Sequence, residues 1–290
     1  MPNLTQPFDM LTYLTESSAQ LIPVPGITAI GGPGNDTFIG LSGNDRYFGA
    51  GGSDFIFGGG GLDRLYGGAG NDLMAGGAGN DLISGGSGVD TLSYAGAPAA
   101  GVVVRLDLGT TTGSAGSDTI SGFENVIGSA GADRIVGTAL NNILVGANGD
   151  DLLFGGGSYD SLIGGNGIDR LFGDAGNDIL GGGAGNDFVI GGQGDDLLFG
   201  GGGADQFVFG VLSDTGGADR IGDFEVGVDK LVIGQLPGGP GALPIISFDA
   251  NADGTTQVSV DLGGVTLFDI TVLSLGGTIS QSDVVFSFNG

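Results

Sequence analysis

"GGAGNDLMAGGAGNDLIS", residues 67–84, says nearly the same nine residues twice, each time with an aspartate in sixth place. Reading outward from it in nines, the register holds from Gly31 to Ser93 and again from Gly128 to Val208, sixteen units in all. Position 1 is Gly in all sixteen. Position 4 is Gly in fourteen, the exceptions being Leu140 and Ser158. Position 6 is Asp in fifteen, with Asn142 the exception, and position 8 is a large apolar residue in every unit from Phe38 to Phe207.

Each place in the repeat has a physical reason. The six residues G-G-x-G-x-D predict a turn, because glycine enters positive φ freely and leaves room for neighbouring backbone. The next three predict a short strand, with position 8 on one face and positions 7 and 9 on the other. Three residues cannot make an independent strand, so the units must stack. With successive turns on alternate sides, two units make one coil and each unit lies over the next but one. The expectation is an all-β parallel solenoid, with position 8 side chains from two sheets meeting inside.

That stacking brings Asp36 near Asp54 and Asp45 near Asp63, about one strand separation (~4.8 Å) apart. Carboxylates piled at that spacing repel strongly. A hard divalent cation held by carboxylate and backbone oxygens removes the conflict, and calcium accepts such a flexible oxygen cage. The candidate ligands in the repeats are Asp36, Asp45, Asp54, Asp63, Asp72, Asp81, Asp90, Asp133, Asp151, Asp160, Asp169, Asp178, Asp187, Asp196 and Asp205. A degenerate unit, "GSAGSDTIS" (113–121), adds Asp118. One ion between stacked turns gives about twelve Ca2+, close to balancing the chain's net charge of −26. Were the aspartates only formers of Asx turns, Asn would serve as well, yet position 6 is Asn just once.

Composition agrees. Gly is 67 of 290 residues, far above the usual ~7%, while Leu, Ile, Val and Phe remain plentiful. Only three of the 33 acidic residues are Glu (Glu16, Glu124 and Glu225). There is no Cys and no His, which removes disulfides, thiolate sites, zinc-protease motifs and Ser-His-Asp triads. No stretch approaches the ~20 apolar residues of a membrane helix. Seven scattered basic residues suggest no patch for nucleic acid. "MPNLTQPFDM" (1–10) lacks the basic-then-apolar order of a Sec signal peptide.

G-G-x-G-x-D-x-U-x, with U large and apolar, resembles the calcium-binding nonapeptide of the repeats-in-toxin (RTX) proteins. The resemblance implies a right-handed parallel β-roll that is disordered at low calcium and folds on reaching calcium-rich medium. "GADRIGDFEVGVDKLVI" (217–233) resembles the segment that closes the roll in secreted RTX metalloproteases. The final strands around "VTLFDITVLSLGGTISQSDVVF" (265–286) resemble the uncleaved C-terminal signal read by type I secretion. The expected partners are therefore calcium and a type I ABC exporter, and the expected location is extracellular. The organisation expected is an N-terminal cap over 1–30, roll blocks over 31–93 and 128–208, an interruption continuing the roll over 94–127, and a capping and secretion region over 209–290. Within the cap, residues 8–22 read as a helix or strand closing the first coil. Asn142, Leu140 and Ser158 depart from the repeat, so coils around 137–163 are expected to bind more weakly.

Other signals are weaker. "DANADG" (249–254) matches the start of an EF-hand loop, but its twelfth place is Val260 and strand-like sequence flanks it, so a hairpin turn is expected. Asp150 with Asp151, and Asp195 with Asp196, fall at positions 5 and 6 of a repeat and read as a loop acid beside a ligand rather than a catalytic pair. In the second block the position 9 column of one sheet is Val136, Phe154, Phe172, Ile190 and Val208, beside Arg134, Leu152, Arg170, Phe188 and Gln206 at position 7. An outward apolar stripe of this length calls for a covering segment, a partner or self-association. The functional expectation is a secreted, calcium-folded, non-enzymatic β-roll with a structural or adhesive role, of the kind found in a surface layer (S-layer) or matrix. Self-association and cell-surface polysaccharide are its candidate contacts. The alternative is a calcium-dependent secretion and folding module associated with an enzyme or toxin.

Overall fold

Arg64–Ala69 is one strand of six residues, spanning positions 7–9 of one repeat and positions 1–3 of the next. The three-residue strand expected from the repeat is therefore too short. The cause is a corner inside the strand. Gly68, at position 2, has φ +114°, and pairing with the neighbouring strand skips position 1 and resumes there: Tyr66 opposes Ser84, then Gly68 opposes Gly86. The turn proper is confined to the last residues before the aspartate.

The computed structural model describes residues 11–13, 26–210, 217–234, 245–251, 255–262, 265–275 and 279–287. It divides into two compact units, Met1–Ile127 and Gly128–Gly290. Among the described residues the elements are strands, apart from one 3-10 turn at Gln281–Asp283. No helix among them is long and apolar enough to cross a membrane.

In the first unit, one sheet stacks Thr28–Ile30, Arg46–Gly51, Arg64–Ala69 and Leu82–Ser87 in parallel. The other stacks Thr37–Ile39, Phe55–Gly61, Leu73–Gly79 and Thr91–Ser93. Strands of one sheet alternate in sequence with strands of the other, as a two-sided coil demands. Thr28–Ile30 already occupies a coil position ahead of Gly31. Of segment 8–22, only Leu11–Tyr13 is described, a strand paired in parallel with Thr28–Ile30; the remainder lies outside the described residues. Residues 94–127 add strands Thr119–Ser121 and Asn125–Ile127 to the two sheets. They also add an antiparallel hairpin, Val102–Arg105 with Thr110–Gly113.

The second unit repeats the arrangement from Arg134–Thr138 to Gln206–Phe209 and continues past the repeats. Lys230–Gly234 and then Val284–Ser287 extend one sheet in parallel. Ala218–Glu225 extends the other and pairs with Val265–Leu275. Ile245–Ala250 and Thr255–Leu262 form an antiparallel hairpin. This is the hairpin expected around "DANADG", although residues 252–254 lie outside the described residues.

Every position 8 side chain is buried, from Phe38 and Tyr47 to Leu198 and Phe207. In the first coil the Phe38 and Tyr47 rings stack with centroids 4.8 Å apart. Each fully buried Leu or Ile in such a column is worth about 1.5–3 kcal/mol. Of the basic residues, one pair stands in register on adjacent strands and the others are spread out. Arg46 and Arg64 share one sheet of the first unit, and Arg134, Arg170 and Lys230 share one sheet of the second.

Candidate metal centre

Asp63 shows how the aspartates are placed. It follows the turn and precedes the strand, so its backbone is committed to stacking: its N–H donates to Asp81 Oδ1 at 2.8 Å and its carbonyl accepts from Leu82 N at 2.9 Å. Its own Oδ1 accepts from Asp45 N at 2.8 Å. Within each column an aspartate thus receives a hydrogen bond from the N–H of the column residue one coil before it, the first of each file taking its bond from other backbone. The chain of bonds runs Asp36, Asp54, Asp72, Asp90 on one side of the first unit and Asp45, Asp63, Asp81, Asp118 on the other. In the second unit it runs Asp133, Asp151, Asp169, Asp187, Asp205 and, opposite, Asn142, Asp160, Asp178, Asp196. The sixteen aspartates singled out from the sequence all lie in these columns and all are buried.

In most of these carboxylates one oxygen is left over. Oδ2 of Asp45, Asp54, Asp63, Asp72, Asp81 and Asp90 is buried without a hydrogen-bond partner. So is Oδ2 of Asp151, Asp160, Asp169, Asp178, Asp187 and Asp205. A buried carboxylate oxygen with no donor is costly. Burial accordingly pushes Asp54, Asp63, Asp81, Asp90, Asp187 and Asp205 up to about 6. It pushes Asp151, Asp160 and Asp178 to about 7. In most of these, neighbouring column carboxylates raise the value further, while the backbone hydrogen bond pulls it down.

Position 1 explains itself at the same place. A Cβ on Gly155 would lie 2.5 Å from Asp160 Oδ2 and 2.8 Å from the carbonyl oxygen of Gly173. The unpartnered carboxylate oxygen and a backbone carbonyl of the next coil therefore crowd the same glycine in coil after coil. Among the described residues no three acidic side chains converge to hold a metal. An ion here would be held by column carboxylates together with backbone carbonyls, an all-oxygen donor set that suits calcium and no soft metal.

The RTX calcium-binding nonapeptide repeat model matches residues 28–56, 57–92, 127–162, 160–189 and 181–215, together more than half of the chain. The chain belongs to the RTX calcium-binding repeat family. It is similar to the AlgE6R3 subunit of the mannuronan C5-epimerase from Azotobacter vinelandii, at 28% identity over 47% of this chain and 77% of that one, with a TM-score of 0.21. It is also similar to the extracellular lipase LipA of Serratia marcescens, at 20% identity over 93% of this chain and a TM-score of 0.23. This chain spans 41% of the lipase's length. No curated protein matches it.

Not every turn of this RTX roll is alike. Asp118 is satisfied on both oxygens: Asp81 N donates to Oδ1 at 3.0 Å, and the Tyr94 hydroxyl (2.7 Å) and Thr111 hydroxyl (3.0 Å) donate to Oδ2. Asp133 accepts from Ser129 N at 2.6 Å and Ser129 Oγ at 2.7 Å. Asn142 Oδ1 accepts from Thr138 N at 2.7 Å. Three acids absent from the sequence-derived set extend the columns. Glu124 accepts from Asp90 N, Asp219 from Asp196 N and Asp229 from Asp205 N. Asp219 and Asp229 were legible in "GADRI" and "GVDKL", which keep the D-x-U half of the repeat. Glu124 was legible in "ENVIG" once Glu is admitted at position 6.

Proposed function

We propose that this RTX protein is exported without a stable fold and folds on binding about twelve calcium ions outside the cell. It then serves as a self-assembling or adhesive component of a cell-surface layer or matrix. The columns of buried carboxylates, twelve of whose aspartates keep an Oδ2 without a hydrogen-bond partner, carry this reading. Without cations the fold must bury like charges in file; with calcium the same oxygens become ligands, and binding free energy becomes folding free energy. A calcium-poor cytosol would keep such a chain unfolded for a type I exporter. The proposed ligands are the column aspartates apart from Asp118, whose two oxygens are met by protein donors, with Glu124, Asp219 and Asp229 continuing the file.

Self-assembly is supported by the outward face of the second unit. Val136, Phe154, Phe172, Ile190, Val208 and Val232 remain half-exposed, and Val285, in register with Val232, is 45% exposed. Phe154 and Phe172 stack on one another, centroids 4.8 Å apart, across that surface. An apolar stripe of this length is the kind of surface through which copies associate.

Size-exclusion chromatography with light scattering and far-UV circular dichroism, in EGTA and in millimolar calcium, tests both halves. The expected result is an expanded chain in EGTA and β-structured oligomers or larger assemblies in calcium. An unchanged spectrum in EGTA overturns calcium-driven folding. A strictly monomeric calcium form overturns self-assembly.

A further inference from the structure

At least nineteen of the 33 acidic residues are buried aspartates, so the net charge of −26 describes the inside of this molecule more than its surface. Over residues 26–127 the acids outside the buried set are Asp107 and Glu124, against Arg46, Arg64 and Arg105. Asp107 is paired with Arg105 at 2.6 Å, and Glu124 accepts from Asp90 N. Arg46 and Arg64 face outward from position 7 of neighbouring parallel strands, in register, and make no ion pair among the described residues. Like charges directly opposite each other on adjacent strands are unfavourable unless an anion answers them.

We propose that this face of the first unit binds an acidic polysaccharide, one bearing a carboxylate on each sugar, laid along the stacking direction of the coils. The inference rests on the calcium-folded reading, because only neutralised columns leave the arginines as the dominant local charge. Two guanidinium forks one strand apart, about 4.8 Å, suit bidentate capture of successive carboxylates on an extended polymer. Beside them at position 9 stand Phe48 and Tyr66, with Ser84 and Ser121 next in register. Arg46 is held with its guanidinium carbon 5.5 Å from the Phe48 ring centroid, which fixes one fork in place. The Tyr66 hydroxyl and the Ser84 hydroxyl, which accepts from Ser121 Oγ at 3.1 Å, lie along the same sheet as partners for sugar hydroxyls.

A nucleic acid fits less well. Single strands bind by stacking bases on open ring faces, whereas Phe48 and Tyr66 lie face to face, centroids 4.8 Å apart and planes 3° apart. Two cations also make few phosphate contacts. The second unit carries a related pairing: Arg134 lies over Phe154 at 4.6 Å and Arg170 over Phe188 at 5.4 Å.

The test is isothermal titration calorimetry of the full chain in calcium, with oligogalacturonate too short to gel. A neutral malto-oligosaccharide and single-stranded DNA serve as comparisons, and circular dichroism is recorded on each sample. The expected result is saturable binding of oligogalacturonate alone. Arg46→Gln/Arg64→Gln should weaken it at least about tenfold with an unchanged spectrum, and Arg105→Gln should leave it unchanged. No binding by a chain whose spectrum shows β-structure overturns the proposal, as does equal binding by the double variant or tighter binding of DNA. If EGTA leaves the spectrum unchanged, calcium-driven folding fails, and the double variant still decides whether this face binds.

Discussion

Asp63 and Asp118 hold the same place in one column of the first unit and differ in what meets their second oxygen. At Asp63, Oδ2 is buried with no partner. At Asp118, the interruption between the repeat blocks supplies the Tyr94 and Thr111 hydroxyls. A regular turn therefore leaves its charge to be met by an ion, and the irregular turn meets it with protein. In this molecule the departure from the repeat marks the place least dependent on calcium.

The largest separation of the two kinds of turn should come from pH in the absence of metal. Regular-turn carboxylates are raised to about 6 or 7 in the folded chain, above the usual 3.8. Between those values the native state holds more protons than the unfolded state, so metal-free stability rises as pH falls from about 7 toward 4 and is lost as pH climbs back. In calcium the sign reverses, because protons compete with the ion for the same oxygens. Thermal melts followed by circular dichroism at pH 5 and pH 7, each with EGTA and with calcium, should show the crossing. Parallel trends in both media would break the comparison.

A second effect is steric. Gly155→Ala places a methyl group against Asp160 Oδ2 and the Gly173 carbonyl, and should cost about 3 kcal/mol, in the upper part of the usual range for overpacking. Gly181 has nothing within 4 Å of its Cβ position, so Gly181→Ala should be neutral within about 1 kcal/mol. Denaturant titrations in calcium compare the two. Equal losses would mean that position 1 is glycine for some reason other than the crowded oxygens.

Much of this was legible from the repeat because periodic constraints leave periodic marks. Position 8 recurs as a large apolar residue since both sheets bury that place in every coil. That the units stack followed from three residues being too few for a free strand, and the two-unit coil from placing successive turns on alternate sides. Most of what escaped notice had no period. Glu124 replaces Asp where the chain re-enters the roll, and its length rather than its charge broke the pattern. Tyr94 and Thr111 lie 24 and 7 residues from Asp118 and meet it only because the intervening segment folds back as a hairpin. The corner within each strand was hidden too. Position 2 is often glycine, but Ala50, Ala147 and Asp174 hold positive φ there as well, so residue identity alone did not place the bend.

The smallest effect is the most diagnostic. Tyr94→Phe removes one of two hydroxyl donors to a buried carboxylate and should cost about 1 kcal/mol. Because that bond involves no ion, the cost should be the same in saturating calcium and in metal-free buffer at pH 5, where protonation supports the fold. Asp63→Asn should behave oppositely. In calcium it removes a charged ligand, so the bound-ion count falls and the melting temperature drops. Without calcium it removes a carboxylate whose second oxygen has no donor, and the variant should be at least as stable as the parent. Paired melts of the two variants with and without calcium, alongside calcium counted by equilibrium dialysis, place each turn on one side or the other. If Tyr94→Phe acquires a calcium-dependent penalty, Asp118 is bound to an ion after all, and the hydroxyls only steady a ligand.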